Sequence, residues 1–182
     1  MKKLEDMTLE ELWQLFPIIL TAPNPDWSDL AIQEISHLQT VLGDLIFRIN
    51  HIGSTAIKGI WAKPIIDILV ETDNTANFTA IKKLLVKAGY ICMNENKTGL
   101  DFNKGYTTNG FADKVFHIHI RLTGNNDEIY FRDYLNTHSD VAKDYEKLKL
   151  SLWKSFEHDR DGYTNAKSDF ITHYTTIAKQ SL

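Results

Sequence analysis

Between His51 and Val70 the chain runs HIGSTAIKGIWAKPIIDILV. A Gly-Ser-Thr corner follows one apolar run, and a lone acid, Asp67, sits inside the next, PIIDILV. Side chains on a strand alternate between its two faces. Ile65, Asp67, Leu69 and Glu71 therefore share one face, while Ile66, Ile68 and Val70 form a wholly apolar face suited to a core. Asp67 falls on the face away from that core. Gly53 lets the backbone turn sharply at a strand end. The amides and hydroxyls of Ser54 and Thr55 then suit an anion such as phosphate. A carboxylate beside a phosphate cradle can hold a divalent cation, which is the arrangement nucleotidyl transfer needs.

Working outward, KVFHIHIRL (114–122) alternates strongly. His117, His119 and Arg121 point one way and Phe116, Ile118, Ile120 and Leu122 the other. Histidine binds transition metals or moves protons, and arginine grips phosphate in a fork. If this strand neighbours the Asp67 strand, all four residues line one cleft. The expected strands are 44–52, 63–71 and 114–122, with further ones near YICMNE and LDFNKGY. Thr8 and Glu11 stand at capping-box spacing ahead of a short helix. Helical spacing recurs over 28–42, with Gly43 as a C-cap, and over 77–90. Beyond TGNND the chain reads as two or three helices. The expectation is a single domain over 1–182, with an N-terminal helix and loop (1–25) and a helical C-terminal part (126–182).

Composition narrows the function classes. Of 182 residues, 43% are hydrophobic and 24% charged, as in ordinary globular domains. The formal net charge of −4 gives no general attraction to a nucleic-acid backbone or an anionic membrane. One cysteine, Cys92, excludes an intrachain disulfide or a cysteine zinc cluster. The N-terminus lacks a signal-peptide core, so the expected compartment is the cytoplasm.

Each motif also has a plainer reading. Gly-Ser-Thr after a strand is often a turn with an N-cap, His-x-His often a solvated strand face, Lys63 an edge lysine. Trp13, Trp27, Trp61 and Trp153 read as packing residues, and DVAKDYEKLK (140–149) as a solvated helix face.

The stretch His51–Asp67 resembles the signature of the GrpB family, H-I-G-S-T-[A/S]-V-P-G-L-x-A-K-P-I-I-D. It matches at His51, Ile52, Gly53, Ser54, Thr55, Gly59, Lys63, Pro64, Ile65, Ile66 and Asp67. FHIHIRL, FRDYLNTHSDVAKDYEKLK and DRDGYTNAKSDFI are similar to the family's later elements, so the resemblance covers nearly the whole chain. It implies an α+β fold: a nucleotidyltransferase-like mixed sheet flanked by helices, with a helical C-terminal part. It assigns Gly53 and Ser54 to phosphate and Asp67 to metal. Related domains are sometimes joined to a coenzyme A biosynthetic kinase, which points to nucleotide chemistry.

Together these readings give catalytic candidates Asp67, His117 and His119. The phosphate or nucleotide candidates are His51, Gly53, Ser54, Thr55, Lys63 and Arg121, and the metal ligands Asp67 and His119. The expected partner is a nucleotide or other phosphorylated small molecule, and the expected cofactor a divalent metal (Mg, Mn or Zn). Departures from the superfamily pattern keep more than one function open. Leu69 stands where a second carboxylate belongs. Glu71, on the same face, is about 13 Å of strand away from Asp67. Lys58 replaces a usual proline and Asn50 a common acid. One carboxylate with histidines suits manganese or zinc better than magnesium. An active nucleotidyl- or phosphotransferase, a catalytically inactive nucleotide-binding or scaffolding protein, and a His/Asp metal-dependent hydrolase all fit this set.

Overall fold

The structure is a computed structural model and describes residues 2–181. Five strands form one mixed sheet: β1 (Arg48–Ile52), β2 (Ile66–Thr72), β3 (Ile91–Asn96), β4 (Gly99–Thr107) and β5 (Gly110–Leu122), in the order β1-β2-β5-β4-β3. β2 and β5 run parallel, and the other pairs are antiparallel. The three strands expected from alternation are thus neighbours at one side of the sheet. The register sets Asp67 opposite His117 and Leu69 opposite His119.

The apolar strand faces behave as their period requires. Ile66, Ile68, Val70, Leu100, Phe102, Phe116, Ile118 and Ile120 are buried in one core with α2 (Asp26–Leu42) and α3 (Asn77–Lys87). The C-terminal helices α4 (Asp127–Thr137), α5 (Ser139–Trp153) and α6 (Arg160–Gln180) line a cavity with the opposite face of β2 and β5. A second cluster ties the segment after β1 to these helices through Ile57, Ile60, Phe131, Leu135 and Tyr145. In the N-terminal segment, Thr8 caps α1 (Leu9–Leu15) with the expected reciprocal box. Ile18 then hydrogen-bonds Glu157, and the Trp153 indole donates to the Ile18 carbonyl.

Three strand boundaries are corrected, the first being that β5 begins at Gly110 rather than Lys114, where its pairing with β4 extends to Thr107↔Gly110. Residues 43–45 form a 3₁₀ turn rather than the start of β1, because Gly43 at φ 52° turns the chain and Ile46 N–H bonds back to Gly43. β2 begins at Ile66 rather than Lys63. Pro64 has no N–H to pair, and Ile65 N–H closes a tight turn onto Lys63 O at 2.7 Å. The helix expected over 77–90 ends at Lys87, and Gly89 at φ 90° carries the chain out of it.

Candidate active site

β1 leads directly into the turn that shapes the site. Gly53 has φ 72° and ψ −173°, a conformation open essentially only to glycine. A Cβ there would also lie 2.5 Å from Asp67 Oδ2. The glycine therefore lets the backbone lie against the carboxylate. Behind the turn, Thr55 donates to Ile65 O at 3.2 Å and lies 2.9 Å from His51 Nε2. Burial, reinforced by Arg132 and opposed by Asp67, pushes His51 down to about 4, so it stays neutral.

Asp67 points away from the core into a cavity of about 500 Å³. Its Oδ1 lies 3.1 Å from His117 Nδ1 and 3.4 Å from His119 Nε2. Burial would raise the Asp67 carboxyl. The two imidazoles outweigh burial and hold it well below the usual carboxylate range. His119 Nδ1 is 3.0 Å from Asp101 Oδ1, which also accepts from Arg121 at 2.6 Å. Burial works against a charge on His119, but Asp101 and Asp67 push it up to about 9. His117 is held below its ordinary value by burial against the pull of Asp67.

A carboxylate oxygen and one nitrogen from each imidazole lie within 4.8 Å of one another. One hard oxygen with nitrogen donors fits a borderline divalent cation such as manganese or zinc, which would replace the proton on His119. The donor set therefore fits a metal of that class.

Four basic side chains, Lys63, Lys149, Lys167 and Arg160, line the same cavity. Among the described residues none has a carboxylate within 4.0 Å. The Lys167 ammonium lies 4.2 Å from the Tyr163 ring centre and Lys149 4.7 Å from that of Tyr145. Lys149 also donates to the Trp61 carbonyl. Burial, with neighbouring cations, pushes Lys63 and Lys149 down to about 7 and Lys167 to about 8. Phe131, Tyr145, Tyr163 and Ile171 supply the apolar part of the wall.

The structure brings Gly53, Ser54, Lys63, Asp67, His117 and His119 to one cavity. His51 and Thr55 brace the turn from behind. Arg121 lies outside the lining, its guanidinium bound to Asp101 and to the Leu100 and Ile120 carbonyls. Glu71 is far from any cation site and serves structure: it is fully buried and accepts from Arg48, Gly124 N–H and Asn126. Sequence reasoning missed Asp101, Tyr106, Arg160 and Lys149. Lys149 lay in the segment read as a solvated helix face, yet it is 2% exposed. Arg160, Tyr163, Thr164, Lys167 and Ile171 follow helical spacing on one face of α6, a signal that was present.

Among solved structures, Cid1 in complex with its short product ApU superposes with a TM-score of 0.50 at 14% identity. The match covers 78% of this chain and 43% of that one. That likeness is one of fold alone: the chain has a mixed α+β, nucleotidyltransferase-like fold. The crystal structure of conserved protein GrpB from Enterococcus faecalis matches more fully. Its TM-score is 0.79 at 27% identity, over 90% of this chain and 98% of that one. Residues 17–176 match the family model described as GrpB protein, and the chain belongs to the GrpB family. It is 36% identical over 159 residues to the glutamate-rich protein GrpB of Alkalihalophilus pseudofirmus, covering 85% of this chain and 91% of the relative. Among the described residues no helix is long and apolar enough to cross a membrane.

Proposed function

We propose that this protein binds a nucleoside triphosphate with a divalent cation and transfers a nucleotidyl or related phosphate group to a small acceptor. The observation that carries this reading is the polarity of one cavity. A carboxylate flanked by two imidazoles shares the cavity with four basic side chains that have no carboxylate partner among the described residues. Buried cations without partners are costly, and an anion of several charges relieves that cost. Lys63, Lys149, Lys167 and Arg160 bind the phosphate chain. Gly53 and Ser54 let the backbone approach it, and the walls at Phe131, Tyr145 and Tyr163 take the less polar part of the ligand. Asp67 and His119 would hold the cation, which when bound neutralises phosphate charge and polarises the phosphorus–oxygen bonds.

A second reading is a protein that binds nucleotides without transforming them. It is favoured by Leu69, which is fully buried where a second metal-binding carboxylate would stand. Release of pyrophosphate (nucleotidyl transfer) or of nucleoside diphosphate (phosphoryl transfer) from a nucleoside triphosphate, with manganese and a small-molecule extract supplying acceptors, separates the two. The transferase reading expects release that Asp67→Asn abolishes. Tight binding without release in wild type favours the second.

A further inference from the structure

His117 faces two ways, and its surroundings decide which nitrogen holds its proton. Its Nδ1 lies 3.1 Å from Asp67 Oδ1. Its Nε2 lies 2.8 Å from the Tyr106 hydroxyl and 3.2 Å from an Arg160 guanidinium nitrogen. A guanidinium offers only donors and keeps its protons. An imidazole nitrogen facing it must therefore accept, which leaves the ring proton on Nδ1, toward Asp67. Tyr106 agrees with this order. Its oxygen accepts from Arg160 at 2.9 Å, so its own proton is free to go to His117 Nε2. Donation runs in one direction, from Arg160 to Tyr106 to His117 to Asp67. The Tyr106 ring is held for this task. It stacks on His117 with centroids 5.9 Å apart, and it packs against Phe16 at 4.6 Å and Phe111 at 5.2 Å.

His119 is set up differently. Its Nδ1 meets Asp101, a carboxylate that fixes a proton there, so the nitrogen on the Asp67 side, which a cation would take in place of a proton, is Nε2. Both rings keep a proton on Nδ1, but His117 turns that nitrogen toward Asp67, whereas His119 turns it toward Asp101 and presents Nε2 to Asp67.

We infer that Arg160 and Tyr106 are positioning residues that fix the proton of His117 on Nδ1, so that His117 orients Asp67 by donating to it and only Asp67 and His119 of the three converging residues ligate a cation. The chemical meaning of this inference rests on the proposed function; the proton's location is measurable without it. Two protein ligands leave the rest of the coordination shell to water and phosphate oxygens. The preferred ligand is then a metal–phosphate complex rather than a bare metal ion.

The test is a long-range ¹H–¹⁵N correlation spectrum of the full chain labelled with ¹⁵N-histidine, with His117 and His119 assigned from the signals lost in His117→Gln and His119→Gln. Without metal, His117 should show a protonated Nδ1 and an unprotonated Nε2. Addition of zinc chloride should shift His119 Nε2 and leave the His117 Nδ1 proton in place. In the Tyr106→Phe/Arg160→Gln double variant, which keeps the Tyr106 ring position filled, His117 Nε2 should move to the protonated range. The wild-type and zinc spectra stand whether or not that variant folds. A wild-type His117 protonated on Nε2, zinc that strips the His117 Nδ1 proton, or zinc that leaves His119 Nε2 unmoved would each overturn the inference. The proposed function falls separately, on absence of both pyrophosphate and nucleoside diphosphate release.

Discussion

Replacing Gly53 with alanine should damage both the fold and the site, for reasons that can be separated. The backbone at φ 72° and ψ −173° lies in a region that costs a side-chain-bearing residue about 1–3 kcal/mol. The new Cβ would sit 2.5 Å from Asp67 Oδ2, and overpacking of this kind adds about 1–3 kcal/mol. The sum, about 2–6 kcal/mol, corresponds to a fall in melting temperature of about 4–24 °C for a chain of this size. Gly59 provides the control. Its φ is 73°, but a Cβ there meets nothing within 4 Å, so Gly59→Ala carries only the backbone penalty of about 1–2 kcal/mol. Thermal unfolding followed by circular dichroism gives the stabilities, and calorimetric titration with manganese or zinc reads the site. Gly53→Ala should lose at least about tenfold in metal affinity, because the displaced carboxylate leaves its two histidines. If Gly53→Ala were no less stable than Gly59→Ala and bound metal as wild type does, the claimed contact between turn and carboxylate would be wrong.

Further expectations concern the cation cluster and the buried acid. Lys63→Ala should weaken pyrophosphate or triphosphate binding by about 2 kcal/mol, roughly thirtyfold, in isothermal titration; unchanged affinity places the anion elsewhere. The free Lys63 and Lys149 ammonium groups titrate near pH 7, below their unfolded value, so between pH 7 and 10 the unfolded chain holds protons that the folded one lacks. The stability of the free protein should therefore gain from these groups as pH rises through that window and lose that gain as pH falls through 7. An anion favours the charged lysines, so its binding at pH 8 should take up about one proton or more, and at pH 6 almost none. Titrations in buffers of different ionisation enthalpy read this directly. Glu71→Gln should cost about 2 kcal/mol in urea unfolding, through loss of its charge-assisted bonds to Arg48, Gly124 and Asn126. It should leave metal affinity unchanged.

Much of the strand-borne side of the candidate site was legible because strands have period two. Alternation alone put Asp67, His117 and His119 on the same side, and a parallel β2–β5 pair made them neighbours. The capping box at Thr8 and the turn at Gly53 were legible for the same local reason. Asp101 was not, since its role depends on which strand lies beside β5, and β4 is brought there by a hairpin whose register sequence does not state. The basic wall was harder still. Lys143 and Lys147 are exposed while Lys149, on the same helix, is buried, and only the docking of α5 against Trp61 separates them. Arg121 shows the converse. Its strand face was read correctly, but a neighbouring acid binds its guanidinium, which no spacing rule reveals.

The central claim is that one cavity binds a triphosphate at its lysines and a cation at Asp67. Thermal shift with nucleoside triphosphates in the presence of magnesium, manganese or zinc tests it most directly, with wild type and Asp67→Asn in parallel. A ligand at a hundred times its dissociation constant adds about 2.7 kcal/mol, or about 5–10 °C here. The account predicts such a shift for at least one metal–triphosphate pair in wild type, and its loss in Asp67→Asn. No shift with any pair, or an equal shift in Asp67→Asn, would contradict it.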